Sequence, residues 1–177
     1  MKILKKEKVF SGKYSDMSIT HFEDKFGNKK AWEFLERTND TEAVVINAFH
    51  KDKVILVKQF RFPIDMFLIE FPAGLIDKGE TPESTAVREL LEETGYEGIV
   101  TAISPPLCTS AGITGEFIYL VDMEITSERG KQILDETEEI EVLEFDKKDL
   151  KKQLLDYIEK HPDTAIDSKV WATYFEK

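Results

Sequence analysis

Cysteine is almost absent from the 177-residue chain, Cys108 being the only one. A lone cysteine excludes a disulfide scaffold and a thiolate zinc site within one chain. No histidine stands near it in sequence, so Cys108 reads as a small buried apolar residue rather than a nucleophile. The three histidines, His21, His50 and His161, are scattered without metal-ligand spacing and read as structural or surface residues. Long apolar runs are missing too. The longest are of the FIYLV type at 117–121, far short of the ~18 residues of a membrane span. The opening MKILKKEKVF has no apolar core behind its basic residues, so a secretory signal is not expected and a cytoplasmic location is. Basic charge is the last scarcity: 24 Lys and Arg against 35 Asp and Glu leave a net charge of −11. Residues 1–70 carry 13 basic and 11 acidic side chains, residues 71–177 carry 11 and 24. So acidic a second part argues against duplex nucleic acid as a partner, since such binding usually needs a basic footprint.

With 41% hydrophobic and 33% charged residues, the chain has the composition and length of one globular domain with a sizeable core. Residues 3–22 and 29–38 read as strands of a small N-terminal antiparallel sheet, with Met17, Ile19, Phe22, Trp32 and Phe34 half-buried. The turn between two of them falls at 26–29. The β-branched runs at 43–49 and 54–60 form a hairpin through 50–53. Further strands are expected at 67–71, 99–103, 116–124 and 139–145. Helices are expected at 147–161, opened by Asp146, and at 167–175, with Val170, Trp171 and Tyr174 as the apolar face. The loop 104–115 is long enough inside a compact domain to suggest a function. Strands interleaved with helices predict an α/β sandwich around a mixed sheet. No linker or repeat divides the chain, so residues 1–40 read as a β-sheet region attached to a main domain at 41–177.

Residues 74–96 read GLIDKGETPESTAVRELLEETGY. Thr81 suits a helix N-cap, and Pro82 the first helical position, where its missing N–H has no partner to lose. Gly95 suits a left-handed stop. At about 100° per residue, Ala86, Val87, Leu90 and Leu91 fall on one side, and Glu89, Glu92 and Glu93 on the other. Like charges one turn apart cost about 0.2–0.5 kcal/mol per pair, and two of these acids stand in the last turn, where the helix dipole disfavours anions. Local stability does not account for the cluster. A hard divalent cation does, because Mg²⁺ or Mn²⁺ takes carboxylate oxygens. A solvated acidic face is the competing reading.

The spacing weighs against that competitor. Gly74, five residues, Glu80, seven residues, then Arg88-Glu89-Leu90-Leu91-Glu92-Glu93-Thr94-Gly95 fills every fixed position of the Nudix box, G-x5-E-x7-R-E-U-x-E-E-x-G-U. Tyr96, in the final bulky slot, is the one soft departure. The chain resembles a Nudix hydrolase. The resemblance implies a Nudix-type α/β/α sandwich and metal-dependent cleavage of a nucleoside diphosphate linked to another group. Bound cations would reconcile an acidic protein with an anionic diphosphate.

Beyond the box, the chain is similar to the ADP-ribose pyrophosphatase branch of that family. The similarity is carried by Trp32-Glu33 with Arg37, by 57–61 (VKQFR), by 70–77 (EFPAGLID), and more weakly by 104–108 and the C-terminal helix. It places Trp32, Glu33, Arg37, Arg61, Glu70, Gly74 and Leu75 at the substrate. On residue chemistry alone, Trp32 is either a stacking face for adenine, worth about 1–3 kcal/mol, or a core indole; the family tips it to stacking. Arg37 and Arg61 suit forked contacts to phosphate, with surface salt bridges as the plainer alternative. The resemblance further implies Mg²⁺ or Mn²⁺ held by Glu89, Glu92, Glu93 and the Ala73 carbonyl. Arg88 would orient the acids, and Glu80 would brace the loop. It implies a general base on a late loop, for which Glu141 and then Glu139 are the candidates in the acidic run 136–141. It also implies a homodimer exchanging N-terminal sheets. Ser110 and Ala111 stand where some relatives carry an acidic residue and proline, a departure at the ribose side. The expected reaction is hydrolysis of ADP-ribose to AMP and ribose 5-phosphate. The alternatives are a broader nucleoside diphosphate sugar hydrolase, an ADP-ribose-sensing module without catalysis, and an acidic interaction domain.

Overall fold

A computed structural model describes residues 1–38, 41–136 and 138–174. Along the chain run β1 (Lys2–Ser11), β2 (Ser15–Glu23), β3 (Lys29–Arg37), β4 (Ala43–His50), β5 (Lys53–Arg61), β6 (Met66–Glu70), β7 (Ala73–Leu75), α1 (Pro82–Thr94), β8 (Gly98–Ile103), β9 (Leu107–Cys108), β10 (Phe117–Ile125), β11 (Glu141–Asp146), α2 (Leu150–Lys160), β12 (Thr164–Ile166) and α3 (Ser168–Tyr174). They fall into two compact units, Met1–Ala43 with Pro106–Tyr119, and Val44–Pro105 with Leu120–Lys177.

In the first unit, β1, β2 and β3 form an antiparallel meander. The β2–β3 turn is tied by Asp24, whose carboxylate accepts from the Phe26 and Asn28 N–H groups at 2.8 and 3.0 Å. Gly27 adopts φ 84° there, a left-handed conformation that suits glycine. The positions expected to be half-buried in β2 are so, yet the deepest residues of this sheet are polar: Asp16 and Ser18. Asp16 accepts from Ser11 Oγ at 2.6 Å and pairs with Lys8. The predicted long loop is partly ordered as strand. Leu107 and Cys108 pair with Ile118 and Phe117, and Leu35 N–H donates to Ile113 O at 2.8 Å. Cys108 is exposed, which corrects the buried reading; a two-residue strand beside a loop gives its thiol no core to enter.

In the second unit the mixed sheet runs β12-β6-β5-β4-β10-β8, with β11 on β5 and β7 on β4. The β4–β5 hairpin turns at Lys51-Asp52, with His50 paired to Lys53. Its β-branched runs supply much of the core: Val44, Ile46, Ile55 and Val57, like Ile69, Phe71, Leu90, Met123 and Leu154, are essentially without exposure. Helix α1 packs on β7 and β8, and α2 on β11 and β12.

Two helix starts differ from expectation. α2 begins three residues late, after Asp149 rather than Asp146, because Lys147 N–H is drawn to Asp52 O at 2.8 Å and 147–149 form a turn. α3 starts behind Asp167, whose Oδ1 accepts from Lys169 N–H at 2.6 Å. Phe175, assigned to this helix from sequence, lies outside the described residues. Of the apolar face expected there, Val170 is buried while Trp171 stays partly exposed. Tyr174 Oη donates to Asn47, whose Nδ2 donates to Asp122 Oδ1 at 2.8 Å. β12 was not anticipated; three residues carry too little periodicity to announce a parallel edge. Among the described residues, no helix is long and apolar enough to cross a membrane.

Candidate active site

The predicted helix is present with its predicted ends. Thr81 Oγ1 accepts from Ser84 N–H at 3.2 Å, Ser84 Oγ accepts from Thr81 N–H at 2.9 Å, and Gly95 closes α1 at φ 75°. The buried stripe is Thr85, Ala86, Leu90, Glu93 and Thr94. This rotates the expected face: Val87 is 42% exposed, whereas Glu93 is 4% exposed. The reason is β7. Its Ala73-Gly74 backbone, tied to β4 and anchored where Ile46 N–H meets Pro72 O at 2.8 Å, lies under the acidic edge of α1. There it supplies small residues rather than a hydrophobic cover.

Arg88 organises the acids. Its Nε and Nη2 hold Glu80 Oε1 and Oε2, both at 2.8 Å. Nη1 reaches Glu89 at 2.7 Å and Glu92 at 3.0 Å, and Nη2 also meets Leu75 O at 3.2 Å. One planar fork thus joins three carboxylates to the loop carbonyl, a task lysine cannot perform. Glu80 also accepts from Thr85 Oγ1 at 2.8 Å and Asp77 N–H at 3.2 Å. Its bond to Arg88, above all, holds its carboxyl down at about 2. This is the loop brace expected of it.

Glu93 accepts one hydrogen bond, from Ala73 N–H at 3.0 Å. Burial, above all, pushes its carboxyl up to about 8. Glu89 is raised as well, again chiefly by burial, with Arg88 opposing. Glu89 lies directly over Gly74: a β-carbon there would stand 1.8 Å from its Oε1. Among the described residues, no three acidic, histidine or cysteine side chains converge as a ready-made metal cage, since Glu89 and Glu92 are turned to Arg88 and Glu93 to Ala73. The donor set nonetheless fits a hard divalent cation. It offers several carboxylate oxygens, one of them in a deeply buried group with spare lone pairs, over a cradle that only glycine leaves open.

In the same unit Arg61 Nε donates to Glu70 Oε1 at 2.7 Å. Glu70 is 5% exposed, and its charge is felt at Glu93, so this pair borders the acidic cluster. The candidate bases part company. Glu141 sits in β11 opposite Lys58 and pairs with its Nζ at 2.6 Å; Glu139 is exposed. Glu138 is exposed like Glu139, but its charge contributes to raising the carboxyls of both Glu89 and Glu93; the sequence reading did not favour it. Thr137 lies outside the described residues.

Trp32, Glu33 and Arg37 belong to the first unit. Trp32 is 54% exposed, which removes the core-indole reading, and its Nε1 donates to Gly112 O at 3.1 Å, fixing the plane of the ring. Glu33 is exposed on β3. Arg37 is engaged by Glu116, with Nε and Nη2 at 2.7 and 2.6 Å from one carboxylate oxygen. That is the salt bridge of the plainer reading.

Residues 38–165 match the NUDIX domain. The chain belongs to the Nudix family. Its Nudix relatives include the ADP-sugar pyrophosphatase of Mus musculus, 34% identical over 96% of this chain and 84% of that protein. Another is the ADP-ribose pyrophosphatase of Bacillus subtilis, 35% identical over 85% of this chain and 81% of the relative. A crystal structure of an ADP compounds hydrolase superposes with a TM-score of 0.71 at 20% identity, covering 90% of this chain and 94% of that one. That likeness bears on the fold, and it agrees with the α/β sandwich and the large mixed sheet.

Proposed function

We propose that this Nudix protein hydrolyses ADP-ribose to AMP and ribose 5-phosphate in the presence of Mg²⁺ or Mn²⁺. The carrying observation is the burial of Glu93 and Glu89 against the Ala73-Gly74 backbone with Arg88 gathering the acids beside them. Such an arrangement is costly for a protein alone and useful once a cation and a diphosphate arrive. Glu89, Glu92, Glu93 and the Ala73 carbonyl would hold the ion. When bound, it neutralises phosphoryl oxygens and lowers the pKa of water towards about 7. Water attacks one phosphorus, the bridging P–O bond breaks, and Glu138 takes the proton of the attacking water. Arg61, steadied at Nε by Glu70, keeps its terminal nitrogens for phosphate oxygens. Trp32 offers its anchored face to adenine, with Glu33 and Arg37 beside it on β3, and Gly74 and Leu75 line the diphosphate.

Residues 1–40 supply the adenine contacts and a homodimer interface by exchange of the small sheet, and 41–177 supply the hydrolase. The exposed Ile3, Val9, Phe10 and Leu35 of that sheet support this. The protein acts in the cytoplasm. A broader nucleoside diphosphate sugar hydrolase is the second reading, favoured by the name of the mouse relative. Mg²⁺-dependent release of the nucleoside monophosphate, AMP from ADP-ribose, ADP-glucose and diadenosine polyphosphates and UMP from UDP-glucose, tests both. ADP-ribose is expected to lead in kcat/KM; equal turnover of UDP-glucose overturns the narrower reading, and no metal-dependent hydrolysis overturns both.

A further inference from the structure

The segment between β10 and β11 closes the end of the acidic helix. A helix leaves its last four carbonyls without intrahelical donors. Here four successive carbonyls are each met by one short stretch. Ile133 N–H donates to Glu92 O at 2.8 Å, Gln132 Nε2 to Glu93 O at 2.6 Å, Arg129 Nε to Thr94 O at 3.2 Å, and Gly130 N–H to Gly95 O at 2.7 Å. Gln132 does more than cap. Its amide nitrogen also donates to Ile140 O at 2.9 Å, and its Oε1 accepts from Arg129 Nη2 at 3.4 Å. One side chain therefore ties the peptide of Glu93 to the peptide two residues beyond Glu138, the acid whose charge reaches Glu89 and Glu93.

We infer that Gln132 is a positioning residue that sets the placement of Glu138 relative to the carboxylates of α1. The inference rests on the proposed hydrolysis for its kinetic consequence, but its geometric claim stands apart from the substrate. An ordinary helix cap would contribute stability alone, and the second bond, to Ile140, is what a cap does not need.

The test compares Gln132→Met, of similar length but without donors, with Arg129→Leu, which removes the Thr94 cap and the long 3.4 Å bond to Gln132 Oε1 but leaves both donor bonds of Gln132, to Glu93 O and Ile140 O. Gln132→Asn, too short to reach both carbonyls, serves where the Met variant does not fold. The Gln132 variant is expected to lose about 10–100-fold in kcat, the range for outer partners of metal ligands, with KM for ADP-ribose changed less than about twofold. Its pH–rate profile shifts on the acid limb, and Mn²⁺ titration followed by electron paramagnetic resonance shows weaker binding. Arg129→Leu is expected to lower Tm while keeping kcat. Equal loss of kcat in both variants, or a Gln132 defect confined to KM or Tm, reduces Gln132 to a helix cap. If the parent protein fails to hydrolyse ADP-ribose, the functional reading falls. A crystal structure of the Gln132 variant against the parent still decides the positioning claim: an unmoved Glu138 relative to Glu93 overturns it.

Discussion

Glu93 takes a carboxylate to 4% exposure with a single hydrogen-bond donor, Ala73 N–H. Left alone, such a group prefers its proton; a divalent cation reverses that preference. Glu93→Gln keeps the volume and the bond from Ala73 while removing the charge. Several kcal/mol of transition-state stabilisation should go with it, so kcat is expected to fall by about 10³-fold or more. The metal-free Tm should hold or rise, because a neutral amide is cheaper to bury than a carboxylate. Near-parental turnover would dismantle the metal assignment. Trp32 calls for the opposite pattern. The indole is exposed and pinned at Nε1, so Trp32→Ala should raise KM by roughly the factor of a lost stack of about 1–3 kcal/mol, with Tm nearly constant. Unchanged KM with a lower Tm would make it a structural residue. At this scale the sequence showed which acids matter through their spacing. It could not show which is buried, because that depends on β7 lying against α1. Nor did spacing single out Glu138, which is marked by its charge at α1.

Helix α1 was legible at both ends because its caps are local chemistry. Thr81 with Pro82 starts it, and Gly95 stops it. What was not legible is that Gly95 serves twice. It adopts φ 75°, and a β-carbon there would stand 2.5 Å from Gly130 O, a backbone atom that cannot swing aside. Gly95→Ala should therefore cost more than the ~1–2 kcal/mol of a left-handed alanine. Urea unfolding is expected to show the lower midpoint at unchanged m-value, and a cost no larger than that ~1–2 kcal/mol would mean that the 129–133 segment yields freely. Elements set by distant partners were the ones missed or misplaced. β7, β9 and β12 have two or three residues each, and their strand character comes from β4, β10 and β6. The start of α2 moved because two aspartates, Asp146 and Asp149, offer the same signal, and Lys147 is held by Asp52.

For the molecule as a whole, the acidic excess also sets how stability responds to pH. Two groups of carboxyls pull in opposite directions. Glu80 is held at about 2 by Arg88, and Asp24 is likewise depressed, chiefly by the Asn28 N–H. Such acids contribute stability that is lost only as pH falls below their ordinary value of 4.5 or 3.8. Glu93 and Glu89 are raised by burial. Without metal, the native state then holds protons that the unfolded chain has released. This stabilisation is complete below the ordinary 4.5 and is lost as pH rises towards about 8 for Glu93. Each such proton tilts stability by up to about 1.4 kcal/mol per pH unit. In EDTA, Tm is accordingly expected to fall between pH 5.5 and 8. Glu93→Gln should flatten much of that slope, and Mg²⁺, which binds the ionised carboxylates, should raise Tm more at pH 8 than at pH 5.5. Differential scanning calorimetry with EDTA and with Mg²⁺ across that range measures all three. A metal-free Tm that climbs towards pH 8 would mean that Glu93 is ionised without a cation and that its burial has another purpose.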